Sequence, residues 1–227
     1  MKKFIVIGLG NFGFSIAKTL IENRCEVLGI DSNRELMQKA KDFVTHAVIG
    51  DASRKEVLES LSIKDFDGAI VSIGQDMGSS ILITLYLKEI GVSRIMVRAT
   101  SEDHGKILKL IGVSDVIFPE RDMAIRMGNM LAMKNVMDYL PLTEDYGIIE
   151  INPPKLFVGK TLKDLQISTR YGCQIIGLKF PNKHGKGLNG SDRNNKMIVP
   201  TAADIIEADC VMVVLGKHKD IERLQSL

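Results

Sequence analysis

The sequence predicts an α/β protein with a doubly wound parallel sheet in its N-terminal part and a smaller α+β domain after it. Short apolar, β-branched runs alternate with longer amphipathic segments as far as about residue 118, which is the pattern of successive βαβ units. A glycine-rich turn follows the first of these runs, and beyond Pro141 the pattern restarts on a smaller scale. We therefore expect one domain at residues 1–138 and a second at residues 139–227.

The alternation assigns strands and helices to the first domain in a regular order. The strands are predicted at residues 4–7, 26–30, 46–49, 69–73, 94–97 and 116–118. The helices between them are predicted at residues 14–23, 34–42, 56–61, 79–90 and 103–111. Parallel strands joined by right-handed crossovers bring their carboxyl ends to one edge of the sheet, and ligands bind at that edge.

The second domain has fewer and shorter elements. Strands are predicted at residues 148–151, 173–180 and 210–215, with a short helix at 162–165. Residues 181–196 are rich in Gly, Asn and Lys, which indicates a hairpin loop. Between the two domains the composition changes over residues 138–146, and Pro141 marks the expected boundary.

A row of methionines follows Pro119, on a helix predicted at about residues 120–138. Their spacing of four, three, three and four places them on one helical face: Met123, Met127, Met130, Met133 and Met137. Methionine is flexible and polarisable, so such a face suits a surface that can repack. Two interpretations stay open, an ordinary core helix and a helix that crosses between the subunits of a dimer.

The composition excludes several classes of protein. The 227 residues carry 30 basic and 28 acidic side chains, a net charge of +2, which is too balanced for the electrostatic footprint of a nucleic-acid binder. No run approaches the roughly 18 apolar residues that span a bilayer, so we expect a cytoplasmic protein that reaches a membrane only through a partner. The cysteines at 25, 173 and 210 are far apart in apolar runs, which predicts buried free thiols in a reducing cytosol.

The turn Gly8-Leu9-Gly10-Asn11-Phe12-Gly13 lies between the first strand and the first helix, as in dinucleotide-binding folds of the Rossmann type. Gly8 makes the tight turn, Gly10 lets the backbone approach a pyrophosphate, and Gly13 allows close packing of helix and strand. The N-terminus of the helix offers unpaired N–H groups and a partial positive charge to phosphate. The motif therefore predicts a nucleotide site.

Carboxylates end the next two strands. Asp31 ends the second strand, where it can accept hydrogen bonds from both ribose hydroxyls and repel a 2′-phosphate. The alternative is a helix cap, since Asp31, Ser32 and Asn33 precede a helix. Asp51 and Ala52 end the third strand beside the expected adenine pocket, where Asp51 could take the adenine amino group.

The fourth and fifth strands add further candidates at the same edge. Ser72, Ile73 and Gly74 leave the fourth strand. Arg98 leaves the fifth and could reach a terminal phosphate, or it could pair with Glu102 as a surface charge.

Glu120 follows Pro119 at the start of the methionine helix. It could be a helix-start carboxylate stabilised by the helix dipole, or a ligand for a hard cation.

Catalytic patterns are missing, which predicts a protein that is not an enzyme. No tyrosine has a lysine four residues further on, and no histidine neighbours a carboxylate in a recognisable catalytic pattern. The rival interpretation is an NAD-dependent oxidoreductase with unrecognised catalytic residues. A redox-sensing DNA-binding repressor would need a winged-helix segment or a basic stripe, and the sequence has neither.

These motifs, in this order, resemble the RCK or KTN family, the regulatory subunits of Ktr and Trk potassium uptake systems. The N-terminal resemblance rests on residues 8–13, 31–33, 50–52, 71–74, 97–99 and 119–123. The C-terminal resemblance rests on residues 159–162, 171–173, Pro200 and 208–216. It covers nearly the whole chain.

The resemblance implies a cytoplasmic subunit that gates a membrane potassium channel or transporter and lies against the inner face of the membrane through it. Family members form homodimers that assemble into an octameric ring, and bind ATP or ADP, or sometimes NAD or NADH. Glu120 matches a family glutamate that can help to hold Mg²⁺ or Ca²⁺ between subunits. The implied nucleotide contacts are Gly8, Gly10, Asn11, Phe12, Gly13, Asp31, Asn33, Asp51, Ala52 and Arg98.

The sequence departs from the family pattern at two positions. Asn11 stands where the Ktr motif usually has an arginine that reaches the terminal phosphate across the dimer. In some relatives the C-terminal domain binds cyclic di-AMP through an arginine whose place is taken here by Ser168, with Arg170 close by. The resemblance places this possible pocket at Arg170, Ile175, Ile176 and Pro200.

Overall fold

The computed structural model describes residues 1–74, 76–132, 136–180 and 197–227. The chain divides into two compact units, Met1–Pro119 and Glu120–Leu227. The predicted hairpin loop at residues 181–196 and Met133 of the methionine row lie outside the described residues. No helix within the described ranges is long and apolar enough to cross a membrane.

The N-terminal unit is built on six parallel strands in the order β3-β2-β1-β4-β5-β6, which confirms the predicted doubly wound sheet. The chain reverses its direction of travel across the sheet between β1 and β4, which is where ligands bind in such folds. The strands are β1 (Lys3–Ile7), β2 (Glu26–Asp31), β3 (His46–Ile49), β4 (Gly68–Val71), β5 (Ile95–Arg98) and β6 (Asp115–Ile117).

Helices cover both faces of this sheet. Along β1 the buried side chains alternate between two cores, because Ile5 and Ile7 belong to one cluster and Val6 to the other. A short 3₁₀ turn at Ile63–Asp65 precedes β4. The helices are α1 (Asn11–Glu22), α2 (Arg34–Ala40), α3 (Lys55–Glu59), α4 (Met77–Ile90) and α5 (Glu102–Ile111).

Two element boundaries differ from the prediction in ways that affect the site. Helix α1 begins at Asn11, three residues before the predicted start, so the last glycine of the motif is already helical. Strand β4 ends at Val71, two residues early, and leaves Ser72, Ile73 and Gly74 as a loop. Helix α4 then begins after Asp76, whose carboxylate accepts the Ser79 N–H at 3.1 Å as a cap.

The C-terminal unit contains a five-stranded antiparallel sheet in the order β10-β9-β11-β8-β7, as predicted for an α+β domain. Its strands are β7 (Val136–Pro141), β8 (Tyr146–Ile151), β9 (Gln174–Lys179), β10 (Met197–Ile198) and β11 (Val211–Lys217). Its helices are α6 (Pro119–Ala132), which begins on the last residue of the first unit, α7 (Leu162–Leu165), α8 (Ile167–Tyr171) and α9 (His218–Gln225).

The predicted break at residues 138–146 contains a strand. Strand β7 pairs antiparallel with β8, and Tyr139 on it is buried in the core of the unit. Pro141 ends this strand at the edge of the sheet, where its missing N–H costs no ladder hydrogen bond. The proline is therefore a strand end.

The methionine row does not form one continuous helical face. Helix α6 ends at Ala132, and Met137 lies on strand β7. Met123 and Met127 are 53% and 44% exposed, so the core-helix interpretation is wrong for these two residues within the chain. Met130 is partly buried and packs against the core of the C-terminal unit.

The three cysteines are free thiols, as predicted, although only two are fully buried. Burial raises the pKa of the Cys173 and Cys210 thiols to about 11, because the thiolate loses its hydration. Cys25 is half-buried.

Candidate nucleotide site

A cavity of about 470 Å³ opens at the carboxyl edge of the parallel sheet. Strands β1 to β5 each contribute their last residues or the residues that directly follow. Most of the predicted site residues line it: Gly8, Gly10, Asp31, Ser32, Asp51, Ala52, Ser72, Ile73, Gly74 and Arg98.

Four predicted site residues of the N-terminal unit do not line this cavity. Asn11, Phe12 and Gly13 form the first turn of α1, directly after the glycine turn that does line the cavity. Asn33 caps α2. Their predicted contacts with a nucleotide stay predictions.

Four lining residues were missed by the sequence analysis. Ile7 and Ile30 lie at strand ends and Gly50 follows β3, so the strand pattern carried a signal for them. Leu36 is an apolar residue in the first turn of α2, and no sequence signal separates it from an ordinary core residue.

The glycine turn has the geometry that its three glycines predict. Gly8 has φ +87°, a left-handed conformation that favours glycine, and a Cβ there would lie 3.1 Å from the Ser72 carbonyl carbon. A Cβ on Gly13 would lie only 1.9 Å from the Gly8 oxygen, so the helix and the turn meet without room for a side chain. A Cβ on Gly10 would meet nothing within 4 Å, which leaves the face of the turn open.

The N-terminus of α1 is suited to an anion. Gly10 is its N-cap and makes no side-chain cap hydrogen bond, and the first turn has no acidic residue. The N–H groups of a first helical turn lack intrahelical partners, and the helix dipole adds a partial positive charge. This end of α1 therefore offers donors to a phosphate.

Asp31 connects two loops of the site. One carboxylate oxygen accepts the Leu9 N–H at 2.6 Å, and the other accepts the Asn33 N–H at 2.8 Å. The cap of α2 is Asn33, whose side-chain oxygen accepts the N–H groups of Glu35 and Leu36 at 2.8 and 3.3 Å. The cap alternative for Asp31 is thus wrong, and its remaining lone pairs are available to hydroxyl donors.

Asp51 forms a local turn at the end of β3. Its Oδ1 accepts both the backbone N–H of Ser53 at 3.0 Å and the Ser53 hydroxyl at 2.6 Å. These bonds fix the carboxylate at the cavity wall, and Ala52 beside it is buried. A carboxylate oxygen in this position accepts amino donors such as that of adenine.

Arg98 is the cation in the lining of the cavity. Its guanidinium carbon lies 5.9 Å from the centroid of the Phe12 ring, within the range of a cation–π contact. A Cβ on Gly74 would lie 2.8 Å from one guanidinium nitrogen, so the side chain fits only because Gly74 has none. Arg98 is thereby held beside the first turn of α1.

The predicted cation ligand Glu120 lies in the first turn of α6, in the C-terminal unit. Across the described ranges of the chain, no group of three or more His, Cys, Asp or Glu side chains is arranged to hold a metal ion. Cation binding by Glu120 between subunits stays a prediction.

A second cavity, of about 420 Å³, lies in the C-terminal unit. Ile175, Pro200 and Ser168 line it, whereas Arg170 and Ile176 do not. Polar side chains also line it, from α7, the residue between α7 and α8, α8, the start of β9 and the residues after β10: Lys163, Gln166, Thr169, Gln174 and Thr201.

Comparison with protein families divides the chain in the same order as the fold. The TrkA-N domain model matches residues 4–119, and the TrkA-C domain model matches residues 147–227.

Curated relatives match along nearly the full chain. Ktr system potassium uptake protein C of Bacillus subtilis (strain 168) is 39% identical over 225 residues, which cover 99% of this chain and 96% of the relative. Protein A of the same system and organism is 38% identical over 226 residues, with the same coverage of both chains. The Vibrio alginolyticus Ktr system potassium uptake protein A is 35% identical over 178 residues, which cover 78% of this chain and 81% of the relative.

Solved structures share the fold. The GsuK RCK domain matches with a TM-score of 0.66 and 17% identity, covering 100% of this chain and 47% of that one. The GsuK channel bound to NAD matches with a TM-score of 0.66 and 16% identity, covering 100% of this chain and 39% of that one. The chain thus spans less than half the length of these structures. From its TrkA-N and TrkA-C domains and its Ktr relatives, it belongs to the RCK family of potassium uptake proteins.

Proposed function

We propose that this chain is the regulatory subunit of a Ktr-type potassium uptake system, and that it binds an adenine nucleotide to gate a partner channel or transporter in the membrane. The observation that carries the proposal is the cavity in which an uncapped helix N-terminus, the Asp31 carboxylate and Arg98 converge. The diphosphate lies against the turn at Gly8–Gly13, Asp31 holds the ribose, and Asp51 accepts from the adenine amino group. The chain performs no chemistry on the ligand.

Regulation requires that two nucleotides stabilise two conformations differently, because a ligand shifts an equilibrium only by its differential affinity. ATP and ADP share adenosine and differ in the terminal phosphate. Arg98 is permanently charged and lies beside the first turn of α1. It is therefore the residue that binds the terminal phosphate and distinguishes ATP from ADP. A divalent cation at Glu120 assists it between subunits.

Titration calorimetry tests the proposal with ADP, ATP, NAD and NADH, each with and without Mg²⁺ or Ca²⁺. We expect saturable binding of ADP and ATP, with NAD and NADH as weaker ligands. The absence of saturable binding by any adenine nucleotide would overturn the proposal. Substrate-linked turnover of NADH would instead favour the oxidoreductase.

The Arg98→Ala variant tests the reading of the terminal phosphate. We expect it to lower the affinity for ATP more than the affinity for ADP, and to leave the affinity for adenosine unchanged. Arg94→Ala is the matched control, because Arg94 lies just before the opposite end of β5 and pairs with Asp115 at 3.1 Å. If Arg98→Ala leaves the ratio of ATP to ADP affinity unchanged, the assignment of Arg98 is wrong.

The assembly proposed here is a homodimer that builds an octameric ring on the cytoplasmic side of the membrane, held there by the channel subunit. Co-purification of the chain with a membrane potassium transporter checks the partner. Nucleic acid is not among the proposed partners.

The second cavity supports a second ligand site. Its mixed polar and apolar wall, with Ile175 and Pro200, fits a purine dinucleotide such as cyclic di-AMP. Arg170 does not line the cavity within one subunit, so its proposed role requires contact across a dimer. Equilibrium dialysis with labelled cyclic di-AMP tests this site, and Ile175→Asp should abolish the binding while ADP binding persists.

A further inference from the structure

Ser72 lies directly after β4 at the wall of the nucleotide cavity. It is 6% exposed, and its backbone N–H donates to the Ile7 carbonyl at 2.8 Å, which fixes it against the end of β1. The residue is therefore held in place before any ligand binds. Its side chain is a hydroxyl, which can donate one hydrogen bond and accept two.

The Ser72 hydroxyl has no hydrogen-bond partner among the described residues, although its oxygen is buried. Most buried polar groups in folded proteins are paired, because an unpaired one loses its hydration without compensation. A buried and unpaired hydroxyl at the wall of a cavity suggests that its partner belongs to the ligand.

This hydroxyl lies close to the glycine turn, where the diphosphate is proposed to bind. A Cβ on Gly13 would lie 3.2 Å from the Ser72 hydroxyl oxygen and 1.9 Å from the Gly8 carbonyl oxygen. The backbone of Ser72 also packs under Gly8, whose own Cβ would lie 3.1 Å from the Ser72 carbonyl carbon. The hydroxyl thus lies beside Gly13 in the uncapped first turn of α1, and the backbone of Ser72 lies beside Gly8.

We infer that the Ser72 hydroxyl donates a hydrogen bond to the diphosphate of the bound nucleotide, either directly or through one water molecule between β4 and α1. This inference rests on the proposed nucleotide function and adds a specificity-determining residue to it. Ligands with two or more phosphates gain this bond, whereas adenosine does not reach it. The hydroxyl therefore contributes to the preference for nucleoside diphosphates and triphosphates over nucleosides.

We expect Ser72→Ala to lower the affinity for ADP without lowering the melting temperature of the unliganded protein. The substitution removes an unpaired buried polar group, so the melting temperature of the unliganded protein should stay the same or rise. Affinity for ADP should fall about tenfold to a hundredfold, the usual range for a hydrogen bond to a charged acceptor. Affinity for adenosine should stay within about twofold. A merely structural serine would lower the melting temperature and weaken both ligands together.

Ser80→Ala is the matched control. The Ser80 hydroxyl is also buried and without a partner in the described part of the chain, but it lies on α4 and does not line the cavity. We expect this variant to bind ADP and adenosine like the wild-type protein.

Calorimetry and thermal melts of the wild type and the two variants decide the matter. A selective loss of ADP affinity in Ser72→Ala, with an unchanged or raised melting temperature, supports the inference. Unchanged ADP affinity, or an equal loss for ADP and adenosine, overturns it while the proposed function stands. Failure of the wild-type protein to bind ADP at all overturns the proposed function itself, and the inference with it.

Discussion

Two glycines of one motif make contrasting demands at the scale of single residues. Gly10 has φ −63° and open space around its Cβ position, so an alanine there fits the unliganded fold. An alanine at Gly13 must displace the backbone oxygen of Gly8, which lies 1.9 Å from its Cβ position. Gly10 therefore leaves open space at the turn, whereas Gly13 is required by the close contact between the turn and α1.

We predict that Gly10→Ala melts at or above the wild-type temperature but binds ADP weakly or not at all, because the new methyl group occupies the side from which the diphosphate approaches. Gly13→Ala should be destabilised by about 1–3 kcal/mol, as is usual for overpacking, and should lose ADP binding as well. Thermal melts and ADP titrations of both variants check this. Normal ADP binding by Gly10→Ala would contradict the assigned position of the phosphates.

His104 provides a prediction about pH. It is fully buried, and its Nδ1 accepts the Thr100 N–H at 3.3 Å, which places the ring proton on Nε2. Burial lowers the pKa of His104 below its ordinary value of 6.5, because the charged ring would lose its hydration. Below about pH 6.5 the unfolded chain therefore binds a proton that the folded protein resists, and stability falls with falling pH.

We expect the free energy of unfolding to decrease between pH 7.5 and pH 5.5, and expect His104→Gln, which keeps a neutral hydrogen-bonding side chain, to show a smaller decrease. Urea denaturation at the two pH values measures both. His46→Gln is the control, because His46 is exposed. An identical decrease in the wild type and His104→Gln would exclude His104 as the source.

Helix α6 carries the prediction at the scale of elements. None of its side chains is buried, yet Met123, Met127 and Leu131 are apolar and 53%, 44% and 77% exposed. An exposed apolar face of this kind indicates a contact with another protein surface. The dimer interpretation of the methionine row is therefore the one that remains, as a prediction.

We predict that Met123→Glu combined with Met127→Glu shifts the protein toward the monomer, because two carboxylates would be buried in the subunit contact. Ala132→Glu, at an exposed position on the opposite side of α6, should leave the dimer intact. Light scattering coupled to size-exclusion chromatography measures the mass of each variant. Dimers of unchanged stability in the double variant would show that this face lies outside the contact.

The elements that the sequence predicted well are those with strong local patterns. The parallel strands are short, buried runs between amphipathic helices, and their order along the chain determines where their carboxyl ends meet. Strand β7 was missed because contacts outside the strand stabilise it: it pairs with β8, and Tyr139 on it is buried in the core of the C-terminal unit. Asp138 on β7 receives two hydrogen bonds of 2.7 Å from Arg126 on α6, and this guanidinium lowers the pKa of the carboxyl group. No local sequence pattern predicts that Asp138 pairs with Arg126, twelve residues earlier in the chain.

The candidate site was predictable to a similar extent. Asp31, Asp51 and Arg98 could be assigned because each ends or follows a strand of the sheet. The sequence could not show that Asn33 caps α2 while Asp31 binds the Leu9 N–H, since both residue types cap helices. Only the three-dimensional position of Leu9 separates the two roles. The contact of Arg98 with Phe12 likewise joins residues that are distant in sequence.

The prediction at the scale of the whole molecule concerns assembly. With a chain mass of 25.1 kDa, an octameric ring has a mass of about 200 kDa. We expect light scattering to give this mass for the nucleotide-bound protein, and expect small-angle scattering to give different ring dimensions with ADP and with ATP. A mass near that of one chain at all concentrations and with every nucleotide would rule out the ring as the regulatory unit.

The two hydrogen bonds of Asp31 bear on any attempt to change which nucleotide the proposed site accepts. Replacing an acidic residue at this position is the obvious route to acceptance of a phosphorylated ribose. Here the same carboxylate accepts the backbone N–H groups of Leu9 and Asn33, so its removal would loosen the glycine turn and the start of α2 together. Any substitution of Asp31 must therefore supply new acceptors for both backbone amides before the sugar specificity proposed for this site can be altered.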